Sequence, residues 1–273
     1  MHSRKLYATH HMTLETKRHR IWLARILFLS VWLLPLFAYA QEPDRMPLPA
    51  LTDAEFRGID TAKEEMEIAD SLLAPNTLLF CGQPVNLDLS FRQRKLRREL
   101  ASLAPLSSAL MQRAEYYFPI VEHILKQENV PDDFKYLMVI ESGMNPDARS
   151  SAGALGLWQF MEGTARDYGL AVNPKIDERR DMEKSTHAAC RYLKAAYAKF
   201  GDWVAVAQSY NIGQARIHSE LKRQRVDDAI DLQLVEETNR YIYRIMAAKI
   251  IFTHPKNFGL KPVMPYYKKI RRK

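Results

Sequence analysis

The chain has 273 residues, with 40 Lys and Arg against 32 Asp and Glu, for a formal charge of +8. The excess sits at the ends. Residues 1–40 hold six basic groups and one acid, the last nine (PYYKKIRRK) hold five basic groups and no acid, and the body between them carries −2. A near-balanced body excludes the strongly basic kind of nucleic-acid-binding domain, and its length suffices for one hydrophobic core.

Residues 1–40 have the layout of an export leader. Basic residues Arg4, Lys5, Lys17, Arg18 and Arg20 precede an apolar run from Ile21 to Tyr39 in which Arg25 is the sole charge, and Ala38-Tyr39-Ala40 forms an A-x-A cleavage site. The alternative is a retained membrane anchor, since the run approaches spanning length. Either way the expected location is outside the cytoplasm, in the periplasm, free or membrane-associated. Residues 41–109 read as a lead-in, proline-bearing at first, with a short helix at 61–73 and a basic amphipathic helix at 91–103. Residues 111–130 repeat apolar positions at helical spacing through Tyr117, Ile120, Val121 and Ile124.

Pro131, Asp132 and Asp133 then open another helix, where a first-turn proline and acids belong. Downstream, Asp181 is placed to cap a helix that stops at Gly201. Asp202 starts another that breaks at Asn211-Ile212-Gly213, and residues 233–252 are long and amphipathic. No stretch sustains period-2 alternation, so the expectation is an all-α chain without a strand. Cys81 and Cys190 could pair in an oxidising compartment or stay as two buried thiols, and the sequence leaves both open. His187 and Cys190 lie at helical spacing but lack further ligands, so no metal is expected there. The basic tail within residues 261–273 suits a solvated end, or contact with anionic lipid or wall polymer.

The helix after Pro131 carries the first chemical signal. Phe134, Leu137 and Met138 form a stripe at i, i+3 and i+4, and the next position on it, i+7, is Glu141. Placed on the core side near a helix C-terminus, a carboxyl is desolvated and faces the negative end of the helix dipole, and both raise its pKa. A carboxyl kept protonated near neutral pH is what a general acid requires. A buried structural Glu fits the same position. The run that follows, SSAGALGLWQF, has Gly153 and Gly156 where backbone could approach a ligand, and Trp158, Gln159 and Phe160 to offer flat apolar faces and an amide to a sugar ring.

The stretch ESGMNPDARSSAGALGLWQF resembles the E-S-x-x-x-P-x-A-x-S-x-x-G-A-x-G-L-x-Q signature of the lytic transglycosylase domain of glycoside hydrolase family 23. Two further motifs follow in order: SYNIG (209–213) looks like A-Y-N-x-G, and ETNRYI (237–242) looks like E-T-x-x-Y-V. The elements DERRD and GDW look most like the family's membrane-bound D branch. The resemblance spans roughly residues 110–260 and implies an SLT domain with a fold similar to goose-type lysozyme. It places Glu141 as the single catalytic acid/base, with Ser150, Gln159, Tyr210, Asn211, Glu237 and Tyr241 as substrate-binding positions. Ser209 replaces the usual Ala, and Glu162 stands where many relatives have Pro.

The implied partner is the glycan strand of peptidoglycan, cleaved between N-acetylmuramic acid and N-acetylglucosamine with formation of a 1,6-anhydro end, without cofactor. Two other readings stay open. One is a lysozyme-like hydrolase in which water replaces the muramyl 6-hydroxyl. The other is a catalytically idle glycan-binding scaffold, against which the joint presence of Glu141, Gln159, Tyr210 and Asn211 speaks.

Overall fold

The structure, a computed structural model, describes residues 77–264. The leader, the expected helix at 61–73 and the basic segment Pro265–Lys273 lie outside the described residues. Ser150–Gly153 separates from the body as a unit and is described by itself.

The body is mostly helical. It opens with a hairpin the sequence did not announce, β1 (Thr77–Phe80) antiparallel to β2 (Gln83–Asn86), with Phe80 opposite Gln83 and Thr77 opposite Asn86. The turn residues Cys81 and Gly82 both have positive φ, 53° and 78°, as a two-residue type I′ turn requires. With four residues per strand and Pro84 in the second, no alternation is long enough to register. The hairpin is seated by packing: Phe80 is fully buried, its ring 5.8 Å from that of Phe134.

Eight α-helices follow among the described residues. Helix α1 (Ser90–Leu103) and α2 (Ser107–Gln127) are joined through a 3-10 turn containing Pro105. A 3-10 turn at Asp132–Phe134 leads into α3 (Lys135–Ser142). Then come α4 (Glu162–Asp167), α5 (Met182–Phe200), α6 (Trp203–Ile212), α7 (Gln214–Gln224) and α8 (Glu236–Thr253). The expected caps form: the Asp181 carboxylate accepts from the Lys184 N–H at 2.9 Å, and that of Asp202 from the Ala205 N–H at 2.7 Å. Gly201 ends α5 with φ 67°.

Helices α4 and α7 were not legible. The first has six residues, and the second buries only Ile217 and Glu220, too few to mark an apolar face. Gly213, where the sequence breaks α6, serves at once as the N-cap of α7.

Helix α3 is the centre of the fold. Seven of its eight residues are buried; the exception is Glu141. Around it pack α2, α8 and the 3-10 turn before it. A helix enclosed on all sides has no solvent face to carry polar residues, and burying each Leu or Val of α3 contributes about 1.5–3 kcal/mol. Glu141 is the one residue of α3 that keeps partial exposure to solvent, while its carboxyl is desolvated enough for burial to dominate its pKa.

Cys81 and Cys190 do not pair; Cys190 lies in the core and Cys81 in the hairpin turn. The imidazole Nδ1 of His187 sits 2.7 Å from the Glu128 carboxylate.

Candidate active site

Glu141 is positioned by the end of α3. Gly143 terminates the helix with φ 56°, its N–H donating to the Val139 carbonyl at 2.9 Å. The adjacent Ser142 is buried and donates its hydroxyl to the Leu157 carbonyl at 2.8 Å, which ties this end of α3 to the 154–160 loop. From the other side, the Tyr210 hydroxyl near the end of α6 donates to the Trp158 carbonyl at 2.9 Å. The loop is thus pinned between α3 and α6.

Within it, the amide of Gln159 donates to the carbonyls of Ala148 and Gly156, both at 2.8 Å, and its backbone sits in the left-handed region with φ 49°. A non-glycine residue held in that region costs about 1 kcal/mol or more and persists where its surroundings over-determine it.

The carboxyl of Glu141 accepts a short hydrogen bond from the Tyr241 hydroxyl of α8. Glu237 and Arg244 share that face of α8 with Tyr241, at i−4 and i+3. Burial pushes the Glu141 pKa up to about 7; the Tyr241 hydrogen bond and the Arg244 guanidinium pull it down, and the Glu237 charge adds to the rise. Among the described residues Glu141 forms no ion pair. Near neutral pH it is therefore present in both protonation states, as a group that must give and retake a proton needs to be.

Burial, and then the nearby Glu141 charge, hold the Tyr241 and Tyr210 phenols well above their ordinary range, so both remain protonated donors. Arg244 is the site residue that sequence reasoning missed. Its signal was present in the helical spacing from Glu237 and Tyr241, but only a folded structure sets that face against Glu141.

The remaining expected positions divide. Asn211 accepts from the Thr238 hydroxyl at 2.7 Å, joining α6 to α8 one turn before Tyr241. Tyr210 is half-buried, its ring 6.0 Å from Phe160 and 5.0 Å from Tyr192, so it builds a wall of the site while its hydroxyl is engaged by the loop. Ser150 belongs to the separately grouped turn, which the Gly153 N–H closes on the Ser150 carbonyl at 3.0 Å.

Two expectations are overturned. Trp158 and Phe160 are not open faces for a sugar: they are 0% and 3% exposed, and the Trp158 indole donates to the Thr186 hydroxyl at 2.9 Å. The loop folds back on itself, with the Leu155 N–H bonded to the Phe160 carbonyl, and this turns the large rings into the core. Gly156 does not make room for a ligand either. A Cβ there would lie 1.9 Å from the Arg179 carbonyl oxygen, so the missing side chain admits the 3-10 turn Glu178–Arg180 against the loop.

Glu141 is thus a partly exposed carboxyl with a phenol donor, at the end of a buried helix tied to a pinned loop. Residues 118–232 match the family described as Transglycosylase SLT domain. This part of the chain is similar to that domain. The chain is 33% identical over 154 residues to the membrane-bound lytic murein transglycosylase D of Escherichia coli (strain K12), covering 55% of this chain and 34% of that protein. It is 26% identical over 166 residues to the soluble lytic murein transglycosylase of the same organism, covering 55% and 25%. The chain thus spans about a third or less of these relatives. Among solved structures it is similar to the 70 kDa soluble lytic transglycosylase from Escherichia coli, with a TM-score of 0.48 and 19% identity over 73% of this chain and 32% of that one.

Proposed function

We propose that the chain is a peptidoglycan lytic transglycosylase that cleaves the β-1,4 bond between N-acetylmuramic acid and N-acetylglucosamine and leaves a 1,6-anhydromuramyl end. The observation that carries this reading is Glu141, a desolvated carboxyl at the end of a buried helix, bonded to the Tyr241 hydroxyl, without an ion pair among the described residues and raised by burial to about 7, in a region similar to this family's domain.

Glu141 in its protonated form donates to the glycosidic oxygen as the bond to the muramyl anomeric carbon breaks, with the muramyl acetamido group assisting at that carbon. The carboxylate so formed accepts the proton of the muramyl 6-hydroxyl as that oxygen closes on the anomeric carbon. One carboxyl performs both transfers, so the second carboxylate of an ordinary glycosidase has no step to carry. The Tyr241 hydroxyl stabilises the intervening carboxylate, since a hydrogen bond to the charged form favours it. The bound glycan strand would lie along Gln159, Tyr210, Asn211 and Glu237.

The leader motif and the names of the relatives support a location outside the cytoplasm, in the periplasm or at the membrane, and intact mass of the native protein tests leader removal. The same reading allows the basic C-terminal segment a weak contact with wall polymer or anionic lipid. Digestion of purified sacculi followed by mass spectrometry tests the activity. Anhydro ends are expected; products heavier by one water at each new end would make the enzyme a hydrolase, and glycan binding without turnover would make it a scaffold.

A further inference from the structure

Helix α1 and the N-terminal half of α8 lie outside the region matched by the family, one before residue 118 and the other after residue 232. They are joined by two ion pairs, Arg98–Glu236 and Glu99–Arg240. Ahead of α8, the Arg92 guanidinium of α1 also reaches the 3-10 turn Ala229–Asp231 and its N-cap, lying 2.6 Å from the Asp231 carboxylate and 3.9 Å from that of Asp228. Arg98 reaches Glu236 at 3.4 Å, and the carboxylate of Glu99 accepts from Arg240 Nε at 2.6 Å and Nη2 at 3.1 Å.

The two pairs differ in weight. Arg98 and Glu236 are exposed, and such a pair contributes little. Glu99 is 1% exposed, and its partner Arg240 grips both carboxylate oxygens from the residue next to Tyr241. Apolar packing between α1 and α8 is non-directional and tolerates small slides and rotations. A two-point guanidinium–carboxylate contact is directional, and a buried carboxylate stripped of its partner is strongly unfavourable. Arg240 can keep its pairing only if α8 holds one rotation and one height against α1. Tyr241, one residue along, inherits that setting, and displacement of a catalytic contact by an ångström is enough to cost large factors in rate.

We propose that the Glu99–Arg240 pair is a positioning device that fixes α8 on α1 so that the Tyr241 hydroxyl meets Glu141. Its consequence for turnover rests on the acid/base reading of Glu141; its consequence for Tyr241 does not.

The experiment follows the Tyr241 phenol by carbon NMR in the full chain labelled at tyrosine Cζ, titrated to alkaline pH without substrate. The charged and titratable groups facing this phenol are Glu141 from α3, Tyr210 from α6 and Arg244 on α8. Burial and the Glu141 carboxylate both raise its pKa, so admitting water and moving away from Glu141 act in the same direction. In Glu99→Gln the Tyr241 titration is expected to fall toward the ordinary value of about 10, while Tyr136 at the far end of α3 stays at about 12.

On sacculi the same variant should lose about tenfold in kcat with KM changed less than about twofold. Arg240→Lys, which keeps the charge but not the fork, should lie between. The double variant Glu99→Leu with Arg240→Met replaces the buried pair by apolar neighbours and should fold at least as well, yet show the displaced titration. Any one of the three that folds decides the matter: a Tyr241 titration unchanged from the wild type overturns the proposal. Failure to find anhydro ends would overturn the proposed function and leave this result standing.

Discussion

The two ends of α3 each hold an ionisable side chain in a largely apolar setting, and the fold treats them in opposite ways. Lys135, at the first turn, is 8% exposed, with its ammonium 2.6 Å from Glu122, 2.5 Å from Asp132 and 5.2 Å from the ring centres of Phe118 and Tyr136. Burial alone would lower its pKa, but Tyr136, Asp132 and Glu122 outweigh burial and raise it, so the charge is locked on. Glu141, at the last turn, has a phenol and, among the described residues, no ion-pair partner, and its pKa moves to about 7. A fully compensated charge is a structural element that does not titrate in the working range. A carboxyl left with one neutral donor and a guanidinium that lowers its pKa less than burial raises it is poised to exchange its proton. Burial is common to both ends, and the compensation separates them.

The sharpest break of this comparison is Glu141→Gln. It should remove about three to four orders of magnitude or more of turnover, measured as anhydro-muropeptide release, while the fold does not weaken. Glu141 has a folded pKa above its unfolded value of 4.5, so the native state binds more protons than the unfolded state between the two. Its contribution is fully present below about pH 4.5 and is lost as pH rises through about 7. The Gln variant should therefore match the wild type at pH 4 and exceed its stability at pH 8, by about 1–3 kcal/mol. Denaturant melts at the two pH values check the sign.

At the other end of α3, the pair of changes Glu122→Gln and Asp132→Asn should do the reverse. Lys135 would be left buried without a counter-charge, for a loss of about 3 kcal/mol of stability, with turnover per folded molecule unchanged. A loss of activity without a loss of stability would dissolve the contrast between the ends.

Tyr241→Phe sharpens the Glu141 end. Removing a donor that stabilises the carboxylate should carry the Glu141 pKa above 7, displace the pH–rate profile toward alkaline pH and cost about tenfold in kcat, or ~1.4 kcal/mol. A profile that stays in place would show that the hydrogen bond does not tune the acid. Asn211→Ala should have a smaller effect, about 1 kcal/mol of stability for the hydrogen bond with Thr238, read from the melting midpoint. Arg244→Met should move the profile in the same direction as Tyr241→Phe and by less, since Arg244 ranks below the Tyr241 hydrogen bond among the influences on Glu141.

Much of this molecule can be read before folding. Caps such as Asp181 and Asp202, the terminator Gly201, and the interrupting Glu141 are local features, governed by hydrogen bonds and backbone geometry within a few residues, so their identities announce the helices they bound. The three motifs named Glu141, Tyr210 and Tyr241, which the fold brings together, for the same reason: residue type and spacing are properties of the chain. Tertiary structure decided what each of them does.

Whether Trp158 and Phe160 face a ligand or the core depended on the loop folding back under Ser142 and Tyr210. The purpose of Gly156 depended on a carbonyl of Arg179, 23 residues away in the chain. The hairpin at residues 77–86 owed its place to a ring contact with Phe134. Above all, the desolvation of the Glu141 carboxyl at the end of a buried helix, and its company of Tyr241 and Arg244 from 100 or so residues further on, arise only when α8 is laid across α3. Desolvation and charge proximity are three-dimensional quantities, and one-dimensional spacing can place a carboxyl on a helix but cannot state its pKa.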